Sequence, residues 1–251
     1  MTDRFEGRIA LLTGAASGMG RATSLHLARE GATVVGLDVN GEGLEETASL
    51  VAEAGGRFAG RLVDVRHRQE CHDAVAATVA EHGRLDILGN IAGVARSHHF
   101  TDVTEAEYDL IMGVNIDGMF WLCQAAIPAI IESSGTIINI ASNAGLMGQA
   151  YTVAYCASKG AVVNFTRALA MEYVKQNVRI NAIAPGGVNT PMTTGFDLPE
   201  GIDYKLMTPY VGYRDMADPE HIANIFAFLA SDEAANVHGA IWSADNGLVA
   251  G

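Results

Sequence analysis

The strongest constraint on the fold of this chain is an alternation. Short runs of β-branched and aliphatic residues take turns with longer segments whose apolar positions recur three and four apart. The strand-like runs are Arg8 to Thr13, Ala32 to Leu37, Phe58 to Val63, Leu85 to Gly89, Thr136 to Ile140, Val178 to Ile183 and Ala240 to Ser243. Helical patterns cover Gly18 to Glu30, Glu42 to Ala54, Arg68 to His82, Glu105 to Ile131, Val153 to Lys175 and Pro219 to Leu229. Parallel strands joined by helices pack through right-handed crossovers, and a sheet covered on both faces calls for strands that are apolar throughout. The expected architecture is α/β, a Rossmann-type doubly wound parallel sheet of seven strands flanked by helices. With 251 residues, 49% of them apolar, the chain can bury one substantial core, and no repeat, low-complexity tract or linker divides it. One domain over residues 1–251 is expected. Thr190 to Asp218 departs from the rhythm, holding Pro191, Pro199, Pro209 and scattered aromatics and methionines, and reads as a mobile substrate lid at about 190–218.

Charge and cysteine usage exclude several classes. A net charge of -13 opposes binding to nucleic acid or to an anionic membrane. Met1 to Arg8 carry Asp3 and Glu6 without a signal-peptide pattern, and no stretch is expected to be long enough to span a bilayer. Cys71, Cys123 and Cys156 lack the paired spacing of a zinc site or redox dithiol and read as reduced thiols of a cytoplasmic protein. The adjacent His98 and His99, with Asp102 nearby, read as a solvated pair or as part of a substrate entrance, and no metal is called for.

Directly after the first strand comes Thr13-Gly14-Ala15-Ala16-Ser17-Gly18-Met19-Gly20, opening a helix. Glycines here permit a tight turn and let backbone N–H groups of Gly14, Ser17, Gly18, Met19 and Gly20 approach a pyrophosphate. The second strand ends at Asp38, where a carboxylate can accept from both hydroxyls of an adenosine ribose. The same carboxylate repels a ribose 2′-phosphate, and neither Leu37 nor Val39 supplies a compensating cation, so NAD is favoured over NADP. Arg21, the nearest basic residue, reads as solvated or ion-paired. After the third strand, Asp64-Val65 stands where a side chain and a backbone amide can read an adenine edge.

Tyr155-Cys156-Ala157-Ser158-Lys159 places a phenol and an ammonium four apart, on one helix face. A phenol with an ordinary pKa near ~10 becomes a useful base only when positive charge favours the phenolate, and Lys159 can supply it. Oxidised nicotinamide would add a second positive centre. Ser142 ends the fifth strand, at the sheet edge where open α/β folds bind ligands, and its hydroxyl can hold a substrate oxygen.

The turn from Thr13 to Gly20, Asp64, Asn90-Ile91-Ala92-Gly93, Asn115, Ser142, Tyr155, Lys159 and Pro185-Gly186-Gly187-Val188-Asn189-Thr190 resemble, in order, the motifs of the short-chain dehydrogenase/reductase family. The resemblance implies that Tyr155 is the acid/base, that Ser142 orients the substrate oxygen, and that Lys159 lowers the tyrosine pKa and binds the nicotinamide ribose. It further implies that Asn115 holds a water linking Lys159 to solvent, that Asp38 grips the adenine ribose and that Asp64 and Val65 hold the adenine. Asn90 and Gly93 would lie beside the cofactor, and Val188 and Thr190 would hold the carboxamide. Two departures are Ile91, where the family carries asparagine, and Asn246, where it carries glycine. The first removes a side chain that supports the central sheet; the second can still adopt a left-handed backbone.

Substrate contacts are expected from Val94 to His99, Asn143 to Tyr151, Gly186 and Gly187, and Met192 to Tyr213. Gln149 and Tyr151 would be polar contacts, and Met192, Phe196, Met207 and Tyr210 either line the substrate or pack the lid on itself. The expected function is NAD-dependent interconversion of a secondary alcohol and its ketone. Alternatives are a 3-oxoacyl-carrier-protein reductase, a sugar-nucleotide epimerase, for which the chain lacks a larger C-terminal domain, and a dinucleotide-binding regulatory protein without turnover. Ala150 to Ala170 is apolar on more than one helix face, and the family resemblance implies a homotetramer.

Overall fold

The computed structural model describes residues 3–212 and 214–250, so Tyr213 lies outside the described residues. Seven parallel strands form one sheet in the order β3-β2-β1-β4-β5-β6-β7. They are β1 (Ile9–Thr13), β2 (Thr33–Asp38), β3 (Arg57–Leu62), β4 (Ile87–Asn90), β5 (Thr136–Ile140), β6 (Arg179–Pro185) and β7 (Ile241–Ala244). The intervening helices are α1 (Gly18–Arg29), α2 (Gly41–Glu53), α3 (Arg68–His82), α4 (Glu105–Met112), α5 (Gly118–Glu132), α6 (Val153–Glu172) and α9 (Pro219–Ala230), with short α7 (Pro191–Thr194) and α8 (Thr208–Val211) in the lid segment. The chain runs outward from β1 through β2 to β3, then returns across the sheet to β4 on the other side of β1. Strand order reverses between β1 and β4, which opens a crevice at their carboxyl ends.

Successive side chains of a strand point to opposite faces, and the two apolar layers follow from that. Leu11 joins Cys71, Leu122 and Val162 under α3, α5 and α6, whereas Ala10 and Leu12 join Leu27 and Phe226 under α1 and α9. β1, β4 and β5 are buried along their whole length, as expected for strands covered on both faces. The edges depart from that expectation: β3, Arg-Phe-Ala-Gly-Arg-Leu, and β7 are largely exposed or half-buried, because an outer strand is covered less completely.

The expected helix over Glu105 to Ile131 forms, but it contains a π turn at Gly113–Asp117 between α4 and α5. A π turn inserts an extra residue into the helical ladder, and here it carries Asn115. Glu105–Glu132 is also, by length and composition alone, long and apolar enough to cross a membrane, which corrects the expectation that no stretch reaches that length. Leu122, Cys123, Ala126 and Ile130 of this helix are buried in the apolar layer beneath the sheet.

Arg179 at the start of β6 closes the carboxyl end of α9, donating to the carbonyls of Leu229, Ala230, Ser231 and Ala234 at 2.6 to 3.3 Å. The Leu229 and Ala230 carbonyls belong to the last turn and have no partner within the helix, and a guanidinium there also meets the negative end of the helix dipole. Asn246 takes φ 58°, the left-handed conformation expected of it. Replacing Arg179→Met should lower stability by about 2–3 kcal/mol, read as a lower urea midpoint with an unchanged slope. An unchanged midpoint would show that water satisfies these carbonyls equally well.

Candidate active site

α1 begins at the crevice without a side-chain cap from Ser17, whereas Asn40 caps α2 and Thr104 caps α4. Gly18, Met19 and Gly20 therefore carry N–H groups that no capping side chain satisfies, and they line a cavity of about 770 Å³ together with Gly14 and Ser17. A Cβ on Gly20 would lie 1.9 Å from the Gly14 carbonyl oxygen, and one on Gly14, at φ +69°, would lie 3.0 Å from Ala92 N. The turn thus requires glycine for its own packing and offers bare backbone donors to an anion. A dinucleotide pyrophosphate fits this cradle. Thr13, whose separate part the sequence did not disclose, fixes the turn to the next strand: its Oγ1 accepts from Ile91 N and Ala92 N, both at 2.9 Å.

Asp38 lines the same cavity. Its oxygens accept from Ala16 N and Asn40 N, each at 3.0 Å, and a carboxylate has room for further donors. Arg21 is ion-paired as expected: it donates to the Ala16 carbonyl at 2.5 Å and to Thr47 Oγ1 at 3.1 Å, and it meets Glu46 at 2.6 Å. Asp38 and Arg21 therefore clamp the Ala16 residue from its N–H and its C=O. Asp64 and Val65 also line the cavity, but Asp64 is not a free acid. Arg66, not foreseen, grips it in a fork at 3.0 and 2.5 Å and holds its pKa below the usual carboxylate range.

Asn90 is not among the residues that line this cavity, although Ile91, Ala92 and Gly93 after it are. Its amide donates to Asn139 Oδ1 at 2.8 Å and Cys123 Sγ at 3.3 Å, and Asn139 donates to Thr166 Oγ1 at 2.9 Å. Ile91 packs into the apolar layer with Phe226. The side-chain bond across the central strands that Ile91 cannot make is thus supplied by Asn90 and Asn139.

Two of the expected catalytic side chains, Asn115 and Lys159, meet at Gly93. A Cβ there would stand 3.4 Å from Asn115 Oδ1 and 3.5 Å from Lys159 Nζ. Asn115 is held from three sides: Oδ1 accepts from Val94 N at 2.8 Å, and Nδ2 donates to Val94 O and to Ser158 Oγ, both at 3.0 Å. Ser158, inside the tyrosine-to-lysine stretch but not singled out from sequence, donates onward to Tyr155 O at 2.8 Å. Lys159 is 3% exposed, its Nζ donates to Ile140 O at 2.8 Å and lies 5.8 Å from the Tyr155 ring centre, and burial draws its pKa down to about 8.

Ser142 Oγ accepts from Ala144 N and donates to Asn143 Oδ1, each at 3.1 Å. Burial pushes the Tyr155 phenol above its ordinary pKa, and the hydrogen bond with Ser142 opposes the rise. Lys159, whose Nζ donates to the Ile140 carbonyl, is not among the causes of that shift in the protein alone. The 143–145 turn lies tight on α6, since a Cβ on Gly145 would sit 2.5 Å from Lys159 O.

The substrate-side expectations divide. Thr190, Met192 and Phe196 line the cavity. Val188 does not; it is buried and bridges to Ala217, while its carbonyl accepts from Thr193 Oγ1 at 2.6 Å. Gly186 permits close packing on Asp245, whose Cα a Cβ would approach to 2.9 Å. Gln149 donates to Asn143 Oδ1 at 3.1 Å. Tyr151 and Tyr210 fasten the lid: Asp203 N donates to Tyr151 Oη and Tyr210 Oη donates to Ala150 O, both at 2.8 Å. His98 pairs with Glu107 at 2.7 Å and His99 Nε2 contacts Glu200 O at 2.8 Å, so both histidines have protein partners.

The buried Lys159 also makes a stability prediction. With its pKa depressed to about 8, the folded chain gives up this proton before the unfolded chain does, so this group costs stability at low pH and the cost fades as pH rises from about 8 towards the ordinary lysine value. Lys159→Met should therefore melt higher than the parent at pH 7, with a gap that narrows above pH 8. A gap that widens with pH would contradict the assigned burial.

Over residues 8–200 the sequence matches the short chain dehydrogenase family. It is 37% identical to the 3-oxoacyl-(acyl-carrier-protein) reductase of Thermotoga maritima, across 98% of this chain and 99% of that protein. It is 38% identical to the D-threitol dehydrogenase of Mycolicibacterium smegmatis, across 97% of this chain and 94% of that protein. The crystal structure of a short chain dehydrogenase from Mycobacterium paratuberculosis bound to NAD matches the fold with a TM-score of 0.91 and 34% identity, covering 99% of this chain and 100% of that one. Agreement along the whole chain, in sequence and in fold, places this protein in the short chain dehydrogenase family.

Proposed function

We propose that residues 1–251 act as one dinucleotide-binding and catalytic domain, an NAD-dependent oxidoreductase that interconverts a secondary alcohol and its ketone, with residues 190–218 as the substrate lid. The observation that carries this reading is the convergence of Asn115 and the buried Lys159 on Gly93, which itself lines the cavity that reaches Asp38 and the bare α1 terminus. When bound, the nicotinamide supplies the hydride acceptor or donor. The protein's own residues do the rest. Ser142 Oγ holds the substrate oxygen, Tyr155 Oη takes the carbinol proton during oxidation and returns it during reduction, and Lys159 favours the phenolate electrostatically. Asn115 holds a water that passes the proton between Lys159 and solvent.

Cofactor choice rests on Asp38. Its carboxylate suits two ribose hydroxyls, and Arg21, the nearest cation to the turn, is committed to Ala16, Thr47 and Glu46. Similarity to the Thermotoga maritima reductase keeps a second reading in view, reduction of a 3-oxoacyl group on a carrier protein. The net charge of -13 weighs against it, because an acidic carrier needs a basic docking face, and it weighs equally against nucleic-acid and membrane partners. Free Cys71, Cys123 and Cys156 support a cytoplasmic setting, and exposed Phe120, Val153 and Met171 on α5 and α6 support a homotetramer.

Tyr155→Phe should lower turnover of any accepted alcohol by about 10²–10⁴ while NADH still binds, measured by NADH absorbance and by fluorescence titration. Retained turnover would remove Tyr155 from its role. Asp38→Asn should cut the NAD-to-NADP ratio of kcat/KM by about tenfold, through loss of repulsion towards the 2′-phosphate. A parent enzyme that already prefers NADP would refute the Asp38 argument.

A further inference from the structure

Arg96 lines the cavity just beyond the Asn90–Gly93 turn, with Ser97 and His98 beside it. The segment that carries it is pinned to the site at both ends. Val94 N donates to Asn115 Oδ1 at 2.8 Å, and His98 N donates to Tyr151 O at 2.8 Å, so Arg96 stands between the catalytic group and the lid fastening.

In this acidic protein most arginines are engaged. Arg4, Arg8, Arg21, Arg57, Arg61, Arg66 and Arg84 pair with carboxylates, and Arg179 holds four carbonyls. The other guanidinium lining the cavity, Arg66, is neutralised by Asp64. Arg96 is exposed, and its recorded hydrogen bond is to the carbonyl of its own neighbour Ala95, at 2.8 Å. Among the described residues no carboxylate oxygen lies within 4.0 Å of it. Glu107 is an acid that feels its charge, and that carboxylate already accepts from Thr104 and lies 2.7 Å from His98 Nε2. Next to Arg96, Ser97 is 6% exposed and its buried hydroxyl has no hydrogen-bond partner among the described residues.

An unpaired guanidinium in a cavity wall and a buried hydroxyl without a partner are both completed by one oxyanion. The planar fork of arginine matches a carboxylate. A phosphate dianion fits less well, since Arg96 is a single free cation and Asp197 of the lid lines the same cavity. We infer that Arg96, with Ser97 beside it, determines specificity at this site, and that the substrate is a hydroxy acid or the corresponding keto acid whose carboxylate sits on the Arg96 guanidinium. This deepens the alcohol–ketone reading and rests on it.

The test compares kcat/KM for hydroxy acids, from lactate through 3-hydroxybutyrate to 4-hydroxypentanoate, with the alcohols that lack the carboxylate, using the full chain with NAD. For at least one chain length the acid should be favoured by about tenfold or more. Arg96→Gln should lower that acid-to-alcohol ratio about tenfold, through the KM of the acid, and Ser97→Ala should lower it less. A parent ratio near one, or a ratio that Arg96→Gln leaves unmoved, overturns the inference while the dehydrogenase reading stands. If neither acids nor alcohols turn over, calorimetric titration of acetoacetate and 4-oxopentanoate into the protein with NADH decides separately. Binding that Arg96→Gln weakens about tenfold upholds the carboxylate site and removes the dehydrogenase reading; absence of such binding removes both.

Discussion

The active end of this molecule is organised around one buried ammonium. Lys159 is 3% exposed and has the Ile140 carbonyl, at 2.8 Å, as its hydrogen-bond partner, and among the described residues no carboxylate is paired to it. A lysine placed this way loses hydration without recovering it in an ion pair, and its pKa falls to about 8. It nevertheless keeps its proton at neutral pH, and its charge stays uncancelled for whatever enters beside it. Every neighbouring element contributes to that arrangement. β5 ends so that Ile140 accepts from Nζ and Ser142 follows two residues later; the π turn brings Asn115 to the same place; and Gly93 stands within van der Waals reach of both side chains.

A second constraint operates at the other end of the crevice. Asp38 accepts from Ala16 N while Arg21 donates to Ala16 O, so one residue of the glycine turn is gripped from both sides. Thr13 anchors the same turn to the start of the Asn90–Gly93 loop, which in turn reaches Asn115 and Lys159. The glycine turn and the buried Lys159 are therefore joined by a short series of polar and close-packed contacts along the carboxyl edges of β1 and β4. Asp38 braces the turn and lines the cavity with the same carboxylate.

Much of this was legible in advance because it is local. Strand and helix positions follow from periodicity, and β5 and α3 lie where the patterns put them. Tyr155 and Lys159 share a helix face because they stand four residues apart, and Asp38 is identifiable because it ends a strand. What stayed hidden connects residues far apart in the chain. Thr13 meets residues 91 and 92, Arg179 reaches over to 229–234, and Asn90 turns to Asn139 because β4 lies beside β5. The pairing of Asp64 went unnoticed although it is local: Arg66 is two residues away, close enough to fold back on it. Tyr151 read as a polar substrate contact and Tyr210 as apolar lining or lid packing, and only the folded loop shows their hydroxyls fastening residues 150–151 to the lid.

The central claim is that Tyr155 becomes a base when positive charge is gathered around its phenol. Burial alone pushes it the other way, above the ordinary tyrosine value. Ultraviolet titration of tyrosinate, run on the parent protein and on Tyr155→Phe, with and without NAD, measures this directly. The account predicts one tyrosinate that ionises well below pH ~10 in the NAD complex, is missing from Tyr155→Phe, and retreats above pH ~10 when NAD is withdrawn. Identical titrations for the two proteins in the presence of NAD would contradict it.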